Sequence, residues 1–462
     1  MSAPTGLGLA RVTIAAPGRR IDIALPEHLP LAELMPTLLH HLGEGMRDAE
    51  ADTSGWNLCR TDGSRLLYQR SLAAQQVRDG EVLHLATREK DWPEPDYDDL
   101  VLAVAEGTRR LGPAWHGGLT RSAAVAGAAA GLLVGLVVLA LSGPPWPGAA
   151  LGALVVALVT LVTGTVLSRA AADAGAGAAI AAAGLPYAFV GGALLLAGTS
   201  GRAALGPAHL LAGAAVLLLA SVIGFFGVAD RLWLFVAGVV AALHAALAAL
   251  LALTPLDAVG AAAGVVCVAL LVMPLSALLS VRLARLPMPD LPQNAQELLA
   301  DKPLPPREHV FATVARADEV FAGMLLGTAV TALAAQAYLV FGGPSARLLA
   351  AIVAVLLLIR SRSLTRPRHR APLLVSGALG LSFGAAAIVL SQPQSVRPIL
   401  VAAVLLPIAL AVVAAGARYS RRRPSPQLAR LVDALEFVLA IAVVPVALVV
   451  LGLFAYVRSL AG

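Results

Sequence analysis

The stretch AAVAGAAAGLLVGLVVLAL, Ala123–Leu141, decides the fold class. It runs 19 residues without one ionisable or amide side chain, and as a helix it rises about 28 Å, close to the roughly 30 Å of a bilayer's hydrocarbon core. A helix lying on a soluble core keeps a polar stripe toward water, and this one has none on any side. The pattern returns to the end of the chain. Further apolar spans are expected at Ala149–Leu167, Ala174–Leu196, Ala208–Val228, Leu232–Leu253, Ala258–Leu279, Val320–Phe341, Leu348–Ile359, Pro372–Leu390, Pro398–Gly416 and Ala434–Val457, eleven in all. The Leu348–Ile359 core is short unless Arg347 and Arg360 snorkel at its ends.

Composition agrees with a polytopic membrane protein. Of 462 residues, 58% are apolar and 13% charged, against roughly 25% charged in a soluble domain. The charges are also sorted: residues 1–110 hold 12 basic and 17 acidic side chains, and residues 111–462 hold 22 and 11. Alternate loops divide the basic residues 20 to 4, the poorer set being Arg202, Arg347, Arg397 and Arg458. Under the positive-inside rule the richer loops face the cytosol, which puts the N-terminus inside and, across an odd number of spans, the C-terminus outside. Arginines in short loops orient a chain in a bilayer, so nucleic acid is not an expected partner. Lysine occurs only at Lys90 and Lys302, in Glu-Lys-Asp and Asp-Lys-Pro. No Gly-Lys-Ser/Thr phosphate loop exists, and the chain carries no Walker-type ATPase. Cys59 and Cys267 fall in segments assigned to different compartments, so neither a disulfide framework nor a cysteine metal site is expected, and no cofactor is called for.

Residues 1–90 have another texture. Ala10, Val12, Ile14 and Ala16 alternate with Arg11 and Thr13, then Ile21, Ile23 and Leu25 alternate with Asp22 and Ala24, with Pro17-Gly18 as the turn; this is a β-hairpin pattern. Leu31, Leu34, Met35, Leu38, Leu39 and Leu42 then follow helical spacing, with Pro36 expected to kink the helix or delay its start. Short strands are expected at Trp56–Arg60 and Val82–Thr87, with Asp62-Gly63 and Asp79-Gly80 as turns. The order is that of a small α+β ubiquitin-like, β-grasp domain. No unbroken apolar run of signal-peptide length follows Met1, which makes this domain cytosolic.

Residues 91–121 form an acidic linker with an amphipathic helix at Tyr97–Glu106, and residues 122–462 the eleven-helix transmembrane domain. Within that domain, 280–319 carries Pro287, Pro289, Pro292, Pro303, Pro305 and Pro306. Prolines at that density predict an extended, partner-accessible cytosolic strap.

Candidate chemistry is sparse. Gly380-Leu381-Ser382-Phe383-Gly384 matches a nucleophile elbow, but it lies mid-span without a nearby His or Asp, and small residues for helix contact explain it better. Gly127, Gly131 and Gly135, and the pairs Gly148/Gly152, Gly260/Gly264 and Gly323/Gly327, repeat the small-xxx-small spacing that lets backbones approach, marking assembly surfaces. His244 is the one titratable side chain near the centre of a span. It is a proton-path candidate, weighed against a hydrogen bond to a neighbouring carbonyl, Ser or Thr. Pro186, Pro274, Pro407 and Pro445 within spans could mark broken transporter helices. His40-His41 lack further ligands at metal-binding spacing, so no metal site is expected.

Leu34-x-Pro36, Gly55-Trp56-x-Leu58, Asp79–Leu85, the run Tyr97–Ala105 and Arg316–Gly323, in that order along the chain, resemble the EccD family, the polytopic membrane subunit of the type VII (ESX) secretion system of actinobacteria. The resemblance implies a non-enzymatic scaffold or channel component of the cytoplasmic membrane. It implies an EccC-like ATPase, EccB-like and EccE-like subunits, lipids and a second copy of the chain as partners. The two copies would enclose a vestibule, and helical-hairpin proteins would be exported transiently. Trp56, Tyr97, Asp98, Asp99, Asp318 and Glu319, inside the matching motifs, are the partner-docking candidates. A proton- or solute-coupled permease with a regulatory cytosolic domain is the alternative.

Overall fold

Alternation along β1 (Leu9–Ala16) turns Ala10, Val12 and Ile14 into a core and Arg11 and Thr13 to the opposite face of the strand. The computed structural model describes residues 8–16, 19–42, 56–61, 64–87, 117–171, 173–199, 201, 205–286, 306–421 and 425–453. It divides into two compact units, Met1–Ala114 and Trp115–Gly462.

In the first unit β2 (Arg19–Pro26) pairs antiparallel with β1, setting Val12 opposite Ile23. β4 (Val82–Thr87) runs parallel to β1 with Ile14 opposite Leu83, and β3 (Trp56–Arg60) pairs antiparallel with β4. The sheet order is β2-β1-β4-β3. Helix α1 (Leu31–Leu42) lays Leu31, Leu34, Met35, Leu38 and Leu39 into the core against Leu58, Leu83 and Leu85. This is the expected β-grasp. Helix α1 starts at Leu31 and runs through Pro36, so the delayed start does not occur. Ala32, whose carbonyl loses its i+4 helical donor at Pro36, is an exposed residue. At the Asp79-Gly80 turn Gly80 adopts a left-handed φ of 81°, its N–H donates to Arg11 O, and Asp79 Oδ1 accepts from Arg11 N–H. The other two expected turns, Pro17-Gly18 and Asp62-Gly63, and residues 91–116 of the expected linker, with its helix, lie outside the described residues; residues 117–121 already belong to the first helix of the second unit.

The second unit is helical. Its elements are α2 (Gly117–Leu141), α3 (Pro147–Arg169), α4 (Ala174–Ala183) continued by α5 (Leu185–Leu195), α6 (Pro207–Val228), α7 (Leu232–Ala252), and α8 (Ala258–Val272) continued by α9 (Ser276–Leu283). Then come α10 (Arg307–Leu339), α11 (Pro344–Ser361), α12 (Pro367–Leu390), the short α13 (Arg397–Leu400), α14 (Leu406–Arg421) and α15 (Pro426–Val450). Among the described residues ten helices are long and apolar enough to cross a membrane, one fewer than expected. The difference is Pro398–Gly416. There α13, a π-helical turn at Val401–Leu405 and α14 follow one another without a gap from Arg397 to Arg421, and this segment, interrupted by the π-helical turn, is not among the ten.

The proline-rich strap is shorter than expected. The last proline, Pro306, is the N-cap of α10, and the 33-residue α10 begins at Arg307, well before Val320. The segment after it contains no proline and is rich in Ala, Arg and Glu, which favour helix. Residues 287–305 lie outside the described residues. Helix α11 gains its length by including both Arg347, which donates to Val340 O, and Arg360.

Three apolar cores occupy this unit, the smallest formed by Trp146, Ala150, Leu194 and Ala197. Of the larger two, one gathers Leu161, Leu185, Tyr187 and Phe235, the other Leu270, Leu325, Leu339, Leu349, Leu356 and Leu373, with α10 packed against α7, α8 and α12. Helix α2 buries no residue, and α15 buries only Val443 and Ala447.

Candidate functional site

The glycine spacings separate into used and unused sets once an added β carbon is placed at each. At Gly323 it would lie 2.6 Å from Trp233 O and Val236 Cβ, and at Gly327 2.7 Å from Ala237 O and Val240 Cβ, so both glycines seat α10 on the backbone of α7. At Gly264 it meets Leu251 Cδ1 at 2.8 Å, a side-chain contact. Gly260 belongs to the first turn of α8, where its N–H donates to Asp257 Oδ1 at 2.7 Å; this is an N-cap and not a helix seam. Of the three spaced glycines in α2, only Gly135 touches the rest of the chain, beside the Tyr187 hydroxyl, which donates to Leu132 O. Gly127 and Gly131 meet nothing within 4 Å. Other seams carry no regular spacing: Gly164 and Gly177 place α3 on α4, Gly192 and Gly213 place α5 on α6, and Gly377 places α12 on α11. Each of these glycines faces a different neighbour, so spacing along one helix could not have found them.

Asp318 and Glu319 are engaged inside the chain. Asp318 Oδ1 lies 2.7 Å from Arg366 Nη1 and 3.3 Å from His369 Nε2, and the His369 ring packs edge-on against Phe321. Glu319 accepts the N–H of Leu232, the first residue of α7, at 2.8 Å and faces Arg368 at 3.7 Å. A carboxylate at a helix N-terminus meets both free N–H groups and the favourable end of the helix dipole. Arg368 in turn stacks over Trp233 at 5.7 Å. Two adjacent acids on α10 thus tie the ends of α7 and α12 together.

Other arginines of the basic loops do similar work at helix ends. Arg169 donates to Gly227 O and Phe226 O, both at 2.9 Å, and Ser168 Oγ donates to Val228 O at 2.6 Å. Arg121 binds Asp173 through two nitrogens, and Asp173 caps α4 by accepting from Ala176 N–H at 3.0 Å. The Arg121 guanidinium, and after it the Ala176 N–H, hold the Asp173 carboxyl below the ordinary carboxylate range. Arg362 binds Asp433, linking α11 to α15.

His244 Nδ1 lies 3.0 Å from Thr331 Oγ1, and that hydroxyl sits 2.9 Å from Gly327 O as its donor. With the hydroxyl proton committed to Gly327, the imidazole Nδ1 is the donor to Thr331. The Gly380–Gly384 segment is interior to α12, without the strand and turn a nucleophile elbow requires, and Ser382 Oγ donates to Ala378 O at 2.9 Å. Trp56 is 5% exposed in the β-grasp core, and its carbonyl accepts from the Tyr68 hydroxyl; a buried side chain is no docking contact, which corrects that expectation. Tyr97, Asp98 and Asp99 lie outside the described residues. Among the described residues no three His, Cys, Asp or Glu side chains gather as a metal site would require.

The profile of the EccD-like transmembrane domain matches residues 120–460. The chain belongs to the EccD family. Ahead of that match, residues 9–85 fit the profile of YukD, a protein of the WXG100 protein secretion system, and these residues are the β-grasp unit. The ESX-4 secretion system protein eccD4 of Mycobacterium tuberculosis is 28% identical over 478 residues, covering 98% of both chains. Among solved structures, protomer 1 of the ESX-3 core complex is similar at a TM-score of 0.56 and 22% identity, covering 97% of this chain and all of that one. A chain of the ESX-5 inner membrane complex follows at 0.54 and 20%, covering 88% of this chain. At those identities the likeness is one of fold. This EccD family member is therefore a multi-pass membrane protein with an N-terminal ubiquitin-like domain. Its glycine seams and carboxylate clamps are features of this chain's own packing.

Proposed function

We propose that this EccD family member is an integral membrane scaffold or channel component of a type VII (ESX) secretion complex in the cytoplasmic membrane, with a structural rather than catalytic role. The observation that carries the reading is an uneven use of surface. Glycines on α10, α12 and the α3–α6 group are seated on neighbours, whereas α2, with Gly127 and Gly131 facing nothing, buries no residue. A span that buries no residue, in a chain that seats several of its other spans on one another through glycines, is suited to completion by other polypeptides or lipid. The correspondence over 98% of a chain named for ESX-4 secretion supports the same reading.

The finer parts are what the resemblance to the EccD family implies. Two copies pair around a vestibule, and the ubiquitin-like domain docks an EccC-like ATPase, which supplies the energy that a chain without a phosphate loop cannot. EccB-like and EccE-like subunits complete the assembly. With Pro398–Gly416 counted as the eleventh span, the 20 to 4 division of basic residues supports an N-terminus in the cytosol and a C-terminus outside.

Mild-detergent purification from the native host is the test. Co-isolation of a multi-domain ATPase and a single-span membrane subunit is the expected result; a lone, stable polypeptide would refute the scaffold reading. A reporter active only outside the cell should be active when fused after Gly462 and silent when inserted within residues 287–305.

A further inference from the structure

Pro274 has no N–H, so the carbonyl of Leu270, four residues earlier, loses its helical donor. The sixth span changes winding there, α8 passing to α9 through a 3-10 turn at Met273–Leu275 that keeps helical dihedrals. The missing donor comes from another span. Arg360 Nη1 on α11 lies 3.0 Å from Leu270 O and 3.6 Å from Met273 Sδ. Arg360 Nε is 3.6 Å from Glu436 Oε1 on α15, and the arginine side chain is only 16% exposed. Arg362 adds a second tie to the same helix, binding Asp433 and facing Glu436 Oε2 at 3.9 Å. Beside this turn is a cleft of about 70 Å³ lined by Leu271, Pro274, Leu356, Ala440 and Val443, with Arg360 as its charged wall.

We propose that Arg360 is the pin of a joint in the sixth span. It replaces the N–H that Pro274 lacks, and through Glu436 it ties the angle between α8 and α9 to the position of the last helix, α15. A carbonyl without a donor is costly inside a membrane, so the joint is fixed while Arg360 is in place and loosens when Glu436 no longer holds it there. Helix α9 carries the chain into the loop between the sixth and seventh spans. A shift of α15 at one side of the domain would thereby reach that loop. The proposal is independent of the secretion reading.

The test uses full-length protein in nanodiscs with Cys59 and Cys267 replaced by serine and spin labels at Leu278→Cys on α9 and Leu348→Cys on α11, positions 47% and 53% exposed. The otherwise native protein should give one narrow distance. Arg360→Met should broaden it and lower the melting temperature by on the order of 5 °C. Adding Pro274→Ala, which returns an N–H to Leu270 O, should restore both the narrow distance and the melting temperature. Glu436→Gln should broaden the distance with a smaller thermal loss. If Arg360→Met alone does not fold, the double variant must. A narrow, native-like distance in either Arg360→Met or Glu436→Gln, or a double variant no better than Arg360→Met, would overturn the joint.

Discussion

The side-chain oxygen of Gln336 occupies the place that a β carbon at position 380 would fill, so α10 and α12 fit together only because residue 380 is glycine. Gln336 is fully buried, its Nε2 donates to Ala332 O at 3.0 Å, and its Oε1 has no conventional donor. The Cα–H of Gly380 is aimed at that oxygen, a weak interaction that fills the vacant acceptor. Gly380→Ala should therefore destabilise the membrane domain by about 1–3 kcal/mol, the usual cost of overpacking. Gly384→Ala, at a site with nothing within 4 Å, and Ser382→Ala, at an exposed position, should be nearly neutral. Thermal unfolding of the three purified variants checks this, and equal losses would contradict it.

Gly323 and Gly127 should respond in opposite ways to enlargement. A leucine at 323 would strike the backbone of α7 at Trp233, so Gly323→Leu should unfold the isolated chain by several degrees or prevent its accumulation. Gly127→Leu points into open space, so the isolated chain should melt as before while its assembly into larger complexes falls. Melting temperature and size-exclusion chromatography, read together, separate the two outcomes.

The acidic pair on α10 lends itself to a double-mutant cycle. Asp318 is 20% exposed and Arg366 64%, so their direct coupling should be modest, roughly 0.2–1 kcal/mol. Were Asp318 reserved for an external partner, Asp318→Ala would leave the free chain unchanged and the cycle would close at zero. A measurable coupling in the isolated protein places the residue in the clamp on α12.

Much of this arrangement was legible in the residues themselves. Alternation in Leu9–Ala16 and Ile21–Leu25 and the helical spacing of Leu31–Leu42 led directly to the β-grasp, and the uncharged runs led to the spans. The limits of α10 were not legible, because proline density argues for extended chain only up to Pro306 and says nothing of the residues that follow. Trp56 is a docking candidate only through its place in a motif resembling the EccD family, and membership in a motif does not separate a core aromatic from a surface one. The clamp of Asp318 and Glu319 on Arg366 and Arg368 joins segments far apart in the chain, which no local pattern records. The Arg360 contact left one trace, Pro274 in mid-span, but the sequence does not name the helix that supplies the donor.

The Arg121–Asp173 pair predicts a pH dependence with a definite sign. Because the folded-state carboxyl titrates below its ordinary range, Asp173 contributes stability that is fully present above the unfolded value, near pH 4, and is lost as pH falls through the lower folded value. Arg121→Ala removes the main cause of that depression and leaves the Ala176 cap in place. The difference in melting temperature between the native chain and Arg121→Ala should be constant from pH 8 down to about pH 5 and shrink below about pH 4. The pair is solvent-exposed, so salt should diminish the difference as well. A difference that grows on acidification, or one unaffected by 1 M salt, would mean that Arg121 acts through packing and not through the Asp173 charge.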